Sequence, residues 1–152
     1  MKEENKRKKY YLKRYRNYLM RIERLKEKLF GIDEQLTGLK SVAINDMPSG
    51  GERLTTDDLL IKKEETEHRI ETLKETSLVV KKEIFECIDH LDDYRLAEIL
   101  EYYFIDGLTL EEIAEQNNYS VQHVGYLYGL ALDNIKIKTL SLIAQRFYFY
   151  VV

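Results

Sequence analysis

From Tyr11 to Leu39 the apolar residues fall at Tyr11, Tyr15, Tyr18, Ile22, Leu25, Leu29, Ile32, Leu36 and Leu39. The steps alternate between four and three, which puts every one of them on a single helical stripe for about four heptads. A helix of that length runs roughly 45 Å. Gly31 and Gly38 lie within it and weaken it by about 1 kcal/mol each relative to alanine. A second stripe follows at Leu59, Lys63, Thr66, Ile70, Leu73, Ser77, Val80, Ile84, Cys87 and Leu91. Thr55-Thr56-Asp57-Asp58 supplies a cap and early acids for a helix over 57–90. Between the two stripes, residues 43–52 (Ala-Ile-Asn-Asp-Met-Pro-Ser-Gly-Gly-Glu) hold all the turn-forming types. Antiparallel packing into a hairpin covers both stripes most simply, and pairing between chains is the competing arrangement.

A chain that is 34% charged, with one proline and seven glycines, fits long uninterrupted helices. No apolar run reaches the roughly 20 residues of a membrane span, and no secretory leader opens the chain. The lone Cys87 excludes an internal disulfide and a cysteine-based zinc site, and reads as a small core residue. His68, His90 and His123 lack paired-ligand spacing. No nucleophile motif or phosphate-cradling glycine loop is present. The expectation is a cytoplasmic protein that is not an enzyme and takes no cofactor or metal.

The third section carries a denser local pattern. Asp92 and Asp93 open a helix through Ile105, with Leu96, Ile99, Leu100, Tyr103 and Phe104 facing inward and Gly107 ending it. Thr109 caps the next helix, with Glu111 and Glu112 in its first turn. Ala114 is small where a second helix crosses closely. Asn118 tolerates a left-handed turn, Ser120 caps the following helix, and Val124 and Leu127 face inward. This is the layout of a helix-turn-helix. The expected fold is all-α, with a coiled-coil-like helical hairpin over 1–90, a helix-turn-helix domain over 91–139 and an apolar tail over 140–152. The tail, ten hydrophobic residues in thirteen from Leu140, needs cover from the hairpin or from a subunit contact.

Charge is divided unevenly. Residues 1–28 carry twelve Lys/Arg against four Asp/Glu, whereas 91–135 carry Arg95 alone against nine acids. Such asymmetry fits one end on a polyanion, or the two ends on each other. The basic run contains Lys6, Arg7, Lys8, Lys9, Lys13, Arg14 and Arg16 with tyrosines interleaved, which suits phosphate tracking. A solvated basic face, or an arm paired with the acidic body, accounts for it equally simply. On the helix from Ser120, the outward positions are Ser120, Val121, Gln122, His123, Gly125, Tyr126 and Gly129. Gln122 has the two groups that pair with adenine, and His123 or Tyr126 reaches phosphate.

The third section resembles region four of bacterial sigma factors. The whole chain is similar to the sigma-like late-transcription regulators of phages and prophages of Gram-positive bacteria, of the ArpU and RinA type. The resemblance rests on Asp46–Gly51, on the run Tyr103–Ala114, on Tyr119-Ser120 with His123-Val124, and on Gly129–Ile135. It spans most of residues 10–138. It implies DNA binding near late promoters in a bacterial host cell, with control of transcription or packaging. Asn117, at a normally apolar position, and Gly125 and Gly129, which carry no side chain, depart from the usual pattern. The expected partner is double-stranded DNA, bound by a homodimer through Ser120, Gln122, His123, Tyr126 and the basic arm. The competing expectation is a protein-binding inhibitor or adaptor that targets RNA polymerase or another nucleic-acid enzyme. A DNA-packaging subunit is the third.

Overall fold

The structure, a computed structural model, describes residues 2–42 (side chains to 38) and 55–138. The turn-rich break at 43–52 and the apolar tail at 140–152 lie outside the described residues. All regular structure among the described residues is helical: α1 (Glu3–Val42), α2 (Thr56–Asp89), α3 (Tyr94–Leu100), a π-helical turn (Glu101–Ile105), α4 (Leu110–Asn117) and α5 (Val121–Asn134). The chain divides into two compact units. Of the described residues, one holds 2–14 and 81–138, and the other holds those between Tyr15 and Val80.

In the Tyr15–Val80 unit, Tyr15, Tyr18 and Ile22 of α1 and Leu59, Ile70, Ser77 and Val80 of α2 are buried. Asp33 and Lys63 join the two helices by an ion pair of 2.9 Å. The carboxylate holds the Lys63 ammonium above its usual range, chiefly by hydrogen bonding. Beyond Ile22 the stripe thins, since Leu25, Leu29, Ile32 and Leu36 are only half-buried. Along its own stripe α2 offers Lys63 and Thr66 instead of hydrocarbon. The start of α2 is a reciprocal cap. Thr55 Oγ1 accepts from the Asp58 amide at 3.1 Å, and the Thr55 amide donates to the Asp58 carboxylate at 3.3 Å.

The other unit is built around α3, α4 and α5, with α5 packed on both of the others. Asp93 caps α3 by accepting from the Arg95 amide, so the helix opens at Tyr94, within a residue of the pattern's expectation. The α-helix then widens at Glu101. The Asp106 amide bonds the Glu101 carbonyl, five residues back, at 3.1 Å, and Leu108 closes on Tyr102 at 2.9 Å. This wide turn points Phe104 and Ile105 inward together, at 1% and 6% exposure. Tyr103 instead leans half-buried on Tyr128, ring centres 4.9 Å apart. Gly107 ends the segment at φ 74°, a conformation that glycine adopts freely.

Local chemistry sets the α4–α5 geometry. Thr109 Oγ1 accepts from the Glu112 amide, and its hydroxyl returns to the Glu112 carboxylate, each at 3.2 Å. Asn118 takes the left-handed conformation at φ 56°, while the Tyr119 amide reaches back to the Ala114 carbonyl at 3.0 Å. Ser120 Oγ then accepts from the His123 amide at 3.1 Å. Ile113 and Ala114 of α4 meet Val124, Leu127, Ala131 and Leu132 of α5 in the core. Removing the side chain of Phe104 from such a core costs about 3–5 kcal/mol.

The carboxylate at the start of the wide turn is disfavoured in its charged form. Burial, then Asp106, Asp89 and Glu98, push the Glu101 carboxyl above its usual range. A carboxyl raised in the folded state binds its proton more tightly there than in the unfolded chain. Its contribution is favourable below the ordinary carboxylate pKa of about 4.3 and is lost as pH rises through the folded value. Glu101→Gln is therefore expected to raise the urea midpoint at pH 7, with the gain vanishing near pH 4. An equal gain at both pH values would mean that charge is not the cause.

Candidate functional site

Helix α5 buries the side of Val124, Leu127 and Ala131 and turns the opposite side outward. Steps of four, three and four place Gln122, Tyr126, Gly129 and Asp133 along that outward side. Gln122 and His123 are exposed, Val121 is 47% exposed and Tyr126 65%. The His123 ring stands edge-on to Tyr119, centres 5.0 Å apart. Ser120 is exposed but works first as the helix cap. A methyl group added at Gly125 or Gly129 would meet nothing within 4 Å. Neither glycine is needed for packing among the described residues, and both leave the helix backbone open to close approach.

The far end of the same row meets α1. Asn5 Nδ2 donates to Asp133 Oδ1 at 2.7 Å. Lys8 Nζ donates to the carbonyls of Leu132 and Asp133 at 2.9 and 3.2 Å, with Glu4 3.7 Å away. Helix ends leave carbonyls without partners and carry partial negative charge. α5 has no basic residue in its last turn, so Lys8 supplies the cation from the other end of the chain. At 6% exposure its ammonium is inside the protein. That corrects the expectation that Lys8 meets an external phosphate.

The remaining basic residues divide by helical face. Lys2, Lys6, Lys9 and Lys13 follow steps of four, three and four on the side of α1 away from buried Lys8, Tyr11 and Leu12. Lys2, Lys6 and Lys13 are exposed and Lys9 is half-buried. Lys6 approaches Glu3 at 3.8 Å, whereas Lys9 and Lys13 have no ion pair among the described residues. Arg7 is exposed on another side. Arg14 points inward, stacked 4.0 Å over the Tyr11 ring and bonded to Glu83 at 3.0 Å, so it too is committed internally. Tyr11 reaches Cys87 at 3.9 Å, and burial holds its hydroxyl far above the ordinary value. Arg16 is half-buried in the Tyr15–Val80 unit.

The Asn5–Asp133 bond joins the end of the outward row of α5 to the first turns of α1. Gln122 lies about 16 Å from that joint at 1.5 Å per residue. Asn5, Asp133 and Lys2 are the members that sequence reasoning missed. For Lys8 a signal existed: stepping the heptad stripe back three residues from Tyr11 lands on it. The surroundings are acidic, and Arg95, the one cation of α3–α5, is paired with Asp93 at 3.2 Å. Among the described residues no cluster suits a metal ion, and no helix is long and apolar enough to cross a membrane. No protein-family model matches the chain, and neither a curated protein nor a solved structure shows significant similarity to it.

Lys8→Met removes the donor from two carbonyls and is expected to cost about 1–3 kcal/mol in urea unfolding. Lys13→Met, on the open face, should change stability by less than about 0.5 kcal/mol. Equal effects would refute the distinction. Gly129→Ala fills open space in a helix and should stabilise the protein by about 1 kcal/mol. A destabilised variant would mean that the space is filled in solution.

Proposed function

We propose that this protein binds double-stranded DNA and regulates transcription, as the resemblance to phage and prophage regulators implies. In this reading α4, the Asn118 turn and α5 are a helix-turn-helix of the sigma-region-four kind. Helices α1 and α2 form a coiled-coil-like hairpin carrying a basic end, and the working form in the bacterial cytoplasm is a homodimer. The observation that carries the reading is the anchoring of the first turns of α1 on the end of α5 by Asn5 and Lys8, which holds the basic run and the α5 row in one unit. A helix with exposed Gln122, His123 and Tyr126 has groups for base edges and phosphates but no Lys or Arg to hold a polyanion. Lys2, Lys6, Lys9 and Lys13, on the first turns of α1, supply the missing charge. The open backbone at Gly125 and Gly129 lets a duplex approach closely.

The acidity of α3–α5 supports a second reading, in which the same fold docks on a basic surface of a polymerase or another nucleic-acid enzyme. Binding of labelled genomic fragments at several salt concentrations separates the two. Lys6→Gln with Lys13→Gln should flatten the dependence of log K on log[salt] by about 2, since each phosphate left without its cation takes away about 0.9. Gln122→Ala with His123→Ala should leave that slope intact and erase the preference for one fragment over random DNA. A stoichiometric protein partner in nuclease-treated lysate, with no DNA retained at physiological salt, would establish the second reading instead.

A further inference from the structure

Resting on the duplex-binding reading, we infer that α5 is selective for adenine and thymine and lacks the groups to read guanine or cytosine. In the major groove guanine is read by Arg or Lys and cytosine by Asp or Glu. Adenine is read by Gln or Asn, and the thymine methyl by an apolar contact. Helix α5 contains no Arg or Lys between Val121 and Asn134. Its one acid, Asp133, is held by Asn5 at 2.7 Å at the far end of the row. The Asn134 amide is spent on the Leu130 carbonyl at 2.8 Å.

Two side chains in the first turn have the chemistry that reads adenine and thymine. Gln122 is exposed, and its side-chain amide makes no hydrogen bond among the described residues. Val121 is 47% exposed in the first turn, an apolar branched side chain with nothing in its own unit to bury it fully. Gly125 lies one turn on from Val121 and Gly129 one turn further, and the open space over both keeps this side of the helix clear. His123 lies on the other flank, edge-on to the Tyr119 ring, and in this reading contacts backbone phosphate. Val121 then contacts a thymine methyl and Gln122 an adenine. Specificity then comes from one bidentate amide contact and one methyl contact, and Lys2, Lys6, Lys9 and Lys13 add affinity without sequence preference.

The test is selection of duplexes from a random library by the full-length protein, followed by base-analogue titration. Selected sites should share a core of A·T pairs. Replacing the contacted adenine by 7-deazaadenine, which lacks the N7 acceptor, should weaken the wild type about tenfold and leave Gln122→Ala unchanged. Replacing thymine by uracil, which lacks the methyl group, should weaken the wild type about fourfold and leave Val121→Ala unchanged. Both positions are exposed, and matching circular dichroism and urea midpoints would show that each variant is folded. A selected core of G·C pairs, or analogues that weaken wild type and variants alike, would overturn the inference while leaving duplex binding standing. Salt-dependent binding with no selected sequence would overturn it too. No binding to any duplex at low salt would overturn the functional reading with it.

Discussion

The Lys8 ammonium at the end of α5 is the contact on which the rest of the candidate site depends. A lysine is rarely buried unless paired, because the charged form loses its hydration. Here the loss is offset by two helix-terminal carbonyls and a nearby carboxylate. The same bonds satisfy the end of a helix that has no cation of its own. One interaction therefore resolves two local problems, and it fixes the first turns of the chain against α5.

From that anchor the charge asymmetry acquires a physical meaning. The basic end is neither wholly a polyanion-binding arm nor wholly a counterweight to the acidic body. Lys8 and Arg14 turn inward and hold structure together, while Lys2, Lys6 and Lys13 turn outward on the opposite face. Helical periodicity, rather than composition, assigns each cation to one job or the other. The acidic setting of α3–α5 is left largely unneutralised, and it adds to the burial that pushes Glu101 toward its protonated form.

Features set within a few residues were legible in the amino-acid sequence. The Thr109 and Ser120 caps and the left-handed Asn118 arise from contacts at most five residues away. The inward Val124 and Leu127 and the buried halves of both long stripes were legible from helical periodicity, although distant residues cover them. The π-helical turn was not, because one extra residue in a turn leaves the apolar pattern of Tyr103, Phe104 and Ile105 compatible with an ordinary helix. The partners of Asn5 and Lys8 were also hidden, since Asp133 and Leu132 lie 128 and 124 residues away. Reading Lys6 to Arg16 as one block concealed the alternation that separates Lys8 and Arg14 from their neighbours.

That sequence separation bears on how the molecule comes into being. Helices α3, α4 and α5 are consecutive and pack on one another, so their contacts form with little loop to close. The first turns of α1 leave the ribosome before any of them, yet their bonding partners at Leu132 and Asp133 emerge more than a hundred residues later. Until then Lys8 stays hydrated and the end of α5 stays open. The closing step must bridge nearly the whole chain, an entropic cost that grows only slowly with loop length. The unit that carries the candidate site is therefore complete only once residues more than a hundred positions apart have met.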